Sequence, residues 1–223
     1  MKFRSQKFPW IIASALVFVG SGSAIMRYAF PQNLHYAIAS VFYGGYVNQL
    51  PVLAEMPIKE FIHRIGGSIY FIIGLVQFST AFRMRHPKVH RLLGKTFLIL
   101  SLLVGGSGIL FSIVKPFSGF METIPTVLFG GLFLYFGFKA YKTAKDKRFV
   151  EHREWMIRNF SLGLGIATIR LYALPLIQFS TLDIRDILVL TFWLGWSTNM
   201  VIAEWWIRDT RTKVMPGKIA FAG

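Results

Sequence analysis

The chain has 223 residues, 54% of them apolar, with a mean hydropathy of +0.50 and a formal net charge of +15. That is too apolar for an ordinary soluble domain, and the basic residues flank apolar runs instead of lining a polar face, which excludes nucleic-acid binding as the reason for the charge. There is no cysteine, so disulfides, thiolate-held clusters and covalently attached c-type haem are excluded as well.

A helix needs about 20 apolar residues to cross the hydrocarbon of a bilayer. Lys2, Arg4 and Lys7 precede the first such run, Phe8–Met26. It is long enough to span, and Gly20–Ala24 lacks a convincing small-residue cleavage site, so it reads as an uncleaved first helix. Tyr28–Ala54 carries no formal charge but holds Gln32, Asn33, His35, Asn48 and Gln49 with a Gly44-Gly45 pair. Clear spans follow at Ile62–Phe82, Thr96–Val114, Ile124–Phe138 (extending to Tyr141) and Ile157–Phe179. The last is Ile187–Ile207, with Glu204 near its end.

Most Lys and Arg residues fall in four clusters, Lys2–Lys7, Arg83–Lys95, Lys139–Arg158 and Arg208–Lys218. The alternate gaps hold only Arg27, Lys59, Arg64, Lys115 and Arg185. Six spans put all four clusters on the cytoplasmic side, as the positive-inside bias requires; a seventh through 34–50 would send Arg83–Lys95 outside. The expected fold is therefore all-α, a six-helix transmembrane bundle with both termini cytoplasmic, forming a single integral membrane domain over residues 1–223. Residues 28–60, in which Pro31 and Pro51 bracket a short helix, form an extracytoplasmic interfacial or re-entrant segment.

This topology sorts the histidines. His35 and His63 fall at the outer face, and His86, His90 and His152 at the inner one. Two imidazoles presented by facing helices in an apolar bundle are what a b-type haem requires, so His90 with His152 is the first candidate ligand pair and His63 with His35 a second. His63-Arg64-x-x-Gly67 recurs as His90-Arg91-x-x-Gly94. In each, the glycine stands a turn beyond the histidine and would admit a flat ring close to the backbone. Arg91 and Arg153 are placed to pair with propionates. A zinc site from His86, His90 and His152 is disfavoured by the neighbouring arginines. Arg170 lies about 18 Å along a helix from Arg158, in the outer half of the bilayer. It needs a carboxylate or carbonyl partner (Glu55, Glu60, Asp183 or backbone), or else serves as a clamp for a propionate or a quinone, completed by Tyr172 and Gln178. Asn159 and Asn199 read as interhelical hydrogen-bonding residues, and Asp146, Glu151 and Glu154 as surface charge. The glycines at 105, 106, 108, 130, 131, 137, 163 and 165 permit close helix approach or room for a ring.

The segment His152-Arg153-Glu154-Trp155-Met156-Ile157-Arg158-Asn159, with Arg170-Leu171-Tyr172 beyond it, resembles the bacterial predicted membrane protein family called domain of unknown function 2306. The two His-Arg-x-x-Gly elements fit the same family, and the likeness extends over residues 35 to 210. The family name implies a membrane location but no activity. The layout is more loosely similar to cytochrome b-561 and ferric-reductase-type helical haem proteins, which implies histidine-held haem at the membrane faces. Here the fourth span carries no histidine, so a single haem fits better than a transmembrane pair.

Three functions are therefore in view. The first is a b-type haem protein of the bacterial inner membrane, exchanging electrons with a quinone or a redox partner; if an enzyme, it is an oxidoreductase. The second is a non-catalytic membrane subunit or assembly factor whose arginines meet lipid or partner acids. The third is a small-molecule transporter.

Overall fold

The computed structural model describes the backbone of residues 7–29, 57–116 and 118–214, and the side chains of 11–22, 62–116 and 118–211. The segment 30–56, with His35 and Glu55, lies outside the described residues, as does the side chain of Glu60. The described residues form α1 (Lys7–Ala29), α2 (Pro57–Gln77), α3 (Thr80–Arg85), α4 (Pro87–Val114), α5 (Phe120–Lys145), α6 (Phe149–Phe179) and α7 (Ile184–Val214), with no strand among them. Four of these, α4, α5, α6 and Ile184–Arg211 of α7, are long and apolar enough to cross a membrane, and α1 contributes the apolar stretch Ile11–Gly22. The expected all-α membrane architecture is the one found.

Several helices start earlier than hydropathy places them. α4 begins at Pro87 and not Thr96, and α6 at Phe149 and not Ile157. The basic clusters are made of Lys, Arg, Leu and Glu, which are good helix formers, so the helix continues past the end of the apolar run. Pro87 suits the first turn of α4, where its missing N–H costs nothing. The second predicted span is cut short. It breaks after Gln77, and Ser79 caps the short α3 by accepting from the Phe82 N–H at 3.3 Å.

The α5–α6 turn is tight. Lys147 adopts φ +58°, the Arg148 N–H reaches Thr143 O at 2.8 Å and the Lys147 N–H reaches Ala144 O at 3.1 Å. This is a Schellman closure with lysine in the left-handed position that glycine usually fills. It folds the start of α6 back along the end of α5.

Packing makes α6 the central element. It meets α5 and α7 along much of its length and touches α1 and α2, while α2 also packs on α4, and α4 on α5. α2, α4, α5 and α6 thus enclose a four-helix core in which α4 and α6 stand opposite one another. Its centre is filled by Tyr70, Phe97, Phe133 and Phe160, with Tyr70 stacked on Phe97 at a centroid distance of 4.3 Å. A Cβ on Gly163 would lie 2.6 Å from the Tyr70 ring, and one on Gly105 2.7 Å from Phe133. Those glycines make room for the protein's own aromatic side chains.

Asn159 ties the same layer together. Its amide donates to Ser101 Oγ (2.9 Å) and Phe133 O (2.8 Å), and its side-chain oxygen accepts from the Tyr70 hydroxyl at 3.0 Å. Asn199 does the equivalent between α6 and α7, donating to Ser161 O and accepting from Thr168, while the Ser161 hydroxyl donates to Asn199 O. Both asparagines are the interhelical residues expected from sequence. In an apolar medium such groups must find partners inside the bundle.

Candidate functional site

At the end of the bundle where α4 and α6 begin, the tight α5–α6 turn sets His152 beside the last turns of α5. Its Nδ1 lies 2.8 Å from Ala140 O. A carbonyl can only accept, so Nδ1 carries the proton and Nε2 presents a lone pair. Anchoring one ring nitrogen this way fixes the orientation and tautomer of a ligating histidine. On the opposite helix, His90 sits in the first turns of α4, with its carbonyl accepting from Gln77 Nε2 at 3.1 Å. Its Nδ1 is buried and makes no hydrogen bond. Arg83 and His152 are the titratable neighbours of His90, and Arg83 also neighbours His152 and Arg153. The pair singled out by sequence is therefore brought to one end of the core, on opposed helices.

Both motif glycines have ordinary surroundings: a Cβ on Gly94 would meet Gln77 Oε1 at 3.5 Å, and one on Gly67 would meet only Val104 at 4.0 Å. Gly94 faces the glutamine whose amide holds the His90 carbonyl. Arg91 is exposed. Arg153 donates to Thr210 Oγ1 at 2.9 Å and joins α6 to α7.

The rest of the His152–Asn159 segment is also occupied. Glu154, expected at the surface, is only 7% exposed, and Arg211 grips it through two hydrogen bonds of 2.8 and 2.6 Å. Arg158, one turn on, holds Glu204 through two more, at 2.5 and 3.0 Å, and stacks over the Trp155 ring at 4.6 Å. Lys139 lies over the same ring from α5. These charges clamp α6 to α7. The signal available in sequence was pairing, with Glu154 and Arg158 one turn apart on one helix, and Glu204 and Arg211 two turns apart on the other in the same order, which antiparallel packing sets opposite one another. Sequence reasoning also missed Gln77, Tyr70, Ser101 and Thr210, ordinary residues whose roles come from neighbours distant in the chain.

At the opposite end, His63 Nδ1 lies 2.7 Å from Ser107 Oγ, and that hydroxyl in turn donates to Val104 O at 3.0 Å. The contact holds the His63 ring in place through Nδ1. The ring edge touches Phe111 at a centroid distance of 5.5 Å, and its Cε1 is 3.4 Å from where a Cβ of Gly108 would stand. Arg64 and Arg170 are its charged neighbours. Among the partners of Arg170 is the backbone carbonyl of Gly20 in α1, at 3.3 Å, the kind of carbonyl tie expected for a buried arginine in a membrane. Tyr172 bonds Thr198 and not Arg170, and Gln178 is exposed. Glu122, passed over in the sequence, is 2% exposed and accepts from the Ser118 N–H at 2.7 Å. Among the described residues no three histidine or acidic side chains converge as a metal-binding group, so the zinc arrangement of His86, His90 and His152 is not formed.

Long apolar helices, asparagine-tied interfaces and ion pairs gathered at one end define a polytopic helical membrane protein. The model of the predicted membrane protein family known as domain of unknown function 2306 matches residues 60–207, and the chain belongs to that family. No curated protein and no solved structure matches it.

Proposed function

We propose that this is a membrane b-type haem protein that holds haem between His90 and His152 and exchanges electrons with a quinone or a membrane redox partner. The observation that carries the reading is the anchored His152 ring. Its Nδ1–H is spent on Ala140 O, which leaves Nε2 as a ligand at the same end of the core as His90, on the opposed helix, where a buried imidazole nitrogen lacks a partner. Neutral imidazoles on facing helices suit iron, and a non-covalent haem needs no cysteine. When bound, the haem supplies the one-electron chemistry; the chain's part is to fix the rings, exclude water and set the local charge. Arg83 is the cation left for propionates, since Arg153 is engaged with Thr210 and Arg91 is exposed on the other flank of α4. His63 is likewise held through Nδ1, by Ser107 Oγ, which supports a second ligand position, with His35 as its partner. Six spans in the bacterial inner membrane, with both termini and the basic clusters in the cytoplasm, complete the reading.

A non-catalytic subunit is the competing reading, favoured by the use of Arg153, Glu154 and Arg158 as helix clamps. A transport path through the middle of the four-helix core is disfavoured by the aromatic layer around Tyr70. The deciding experiment is a reduced-minus-oxidised spectrum with pyridine haemochrome quantification on purified protein, with His90→Ala and His152→Ala beside it. A b-type spectrum diminished by either substitution is expected. Folded, colourless protein after expression with ample haem would leave the subunit reading in place.

A further inference from the structure

The first three turns of α4 carry Lys88, Arg91 and Lys95, all exposed. At 100° per residue these fall within about 60° of one line along the helix, and Leu92, Ile99, Leu102, Leu103, Gly106, Leu110 and Ile113 continue the same line. Those leucines and isoleucines are 48% to 64% exposed, while Phe97 on the opposite face is fully buried. A Cβ at Gly106 would meet nothing within 4 Å, so the stripe is notched at mid-length. Among the described elements α4 packs chiefly on α2, α3 and α5, which leaves this flank open. From Lys95 to Val114 is about 28 Å of helix, close to the hydrocarbon thickness, and Lys88 to Lys95 is about 10 Å, which covers a headgroup layer. No aspartate or glutamate occurs between Glu60 and Glu122 to neutralise the basic turns.

We infer that this flank binds an anionic phospholipid, its phosphate held by Lys88, Arg91 and Lys95 and its acyl chains lying along Ile99, Leu102 and Leu110. Charge decides the occupant. A second copy docking by two-fold symmetry would bring this basic stripe against itself, whereas a lipid phosphate supplies the missing anion beside an apolar tail of matching length.

The test uses the full-length protein, delipidated in mild detergent and titrated with phosphatidylglycerol or phosphatidylcholine, with bound lipid and oligomeric state read by native mass spectrometry. Each lysine or arginine near a lipid phosphate is worth about fivefold in affinity, so Lys88→Gln/Arg91→Gln/Lys95→Gln is expected to bind phosphatidylglycerol on the order of a hundredfold more weakly. A charge-matched control, Lys142→Gln/Lys145→Gln/Arg208→Gln, is expected to bind like the wild type. Lys95→Gln alone, with about a fivefold loss, serves if the triple variant does not fold. Equal weakening in both triple variants, phosphatidylcholine bound as tightly as phosphatidylglycerol, or a lipid-free dimer broken by the α4 substitutions would each overturn the inference.

Discussion

Removing the Asn159 amide should cost the bundle more than any other single polar deletion in its core. The residue is fully buried, and its side chain makes three hydrogen bonds to three other helices: two donated to Ser101 Oγ and Phe133 O, and one accepted from Tyr70. Interhelical hydrogen bonds in membrane proteins are worth about 0.6 kcal/mol each, so their loss in Asn159→Ala comes to about 2 kcal/mol. Phe133 O keeps its own helix bond and Ser101 can turn to a carbonyl a turn below, so the orphaned groups add little. Tyr70→Phe loses only the hydroxyl, which also reaches Asn159 O at 3.2 Å, and should cost about 1 kcal/mol. Because the two side chains share a bond, the double variant should be less destabilised than the sum by about 0.6 kcal/mol. Equilibrium unfolding in mixed micelles, on all four members of the cycle, measures each figure. Asn159→Ala unfolding like the wild type, or strict additivity with Tyr70→Phe, would refute the network as a source of stability.

Other substitutions test other parts of the fold. Gly163→Ala pushes a methyl into the Tyr70 ring and should destabilise by about 1–3 kcal/mol in the same assay. Gly131→Ala, where a Cβ meets nothing, should be neutral or stabilising by up to about 1 kcal/mol. Lys147→Gly relieves a left-handed lysine and should stabilise by about 1 kcal/mol; a loss of stability would show that the turn is held some other way. The half-buried Arg158–Glu204 pair should show a coupling of about 1 kcal/mol in an Arg158→Gln, Glu204→Gln cycle, diminished by salt far less than that of the exposed Arg148–Glu151 pair. The cysteine-free chain is ready for labelling. Single cysteines at Lys88 and Lys145 should react with an impermeant maleimide from one side of the membrane and those at Ser118 and Leu182 from the other; a mixed pattern would overturn the alternation of charge.

The helices were legible in the sequence because a bilayer demands length and hydropathy, and both are written locally. Their ends were not, since Pro87–Lys95 and Phe149–Arg158 are polar enough to leave the apolar run yet helical by propensity. Asn159 and Asn199 were legible for the converse reason, that a carboxamide within a span must bond to another helix. Their partners were not: nothing about Tyr70, Ser101 or Ser161 distinguishes them until the helices are placed side by side. Glu154 was misread because a carboxylate in a basic cluster has the composition of a surface, and only the approach of Arg211 from the last helix explains its burial. The glycines were legible as sites of close approach, but whether an aromatic side chain or a cofactor comes close is decided by what faces them.

Of the three arginines given functional weight from sequence, Arg153 donates to Thr210, Arg170 reaches Gly20 O as one of its contacts, and Arg91 stays exposed. The histidines instead share a feature that the helix clamps do not require. His63 and His152, on different helices and at opposite ends of the bundle, are each held through Nδ1, by Ser107 Oγ and by the Ala140 carbonyl. In His152 the acceptor is a backbone carbonyl, which puts the proton on Nδ1 and leaves Nε2 as a lone pair in the neutral ring. The clamps between α6 and α7 then acquire a second use, because Arg153, Glu154 and Arg158 follow His152 directly and hold rigid the turn that aims it. The ion pairs of the family-specific segment are thus a frame that fixes the turn carrying His152, and the haem reading proposed above needs that turn to be rigid.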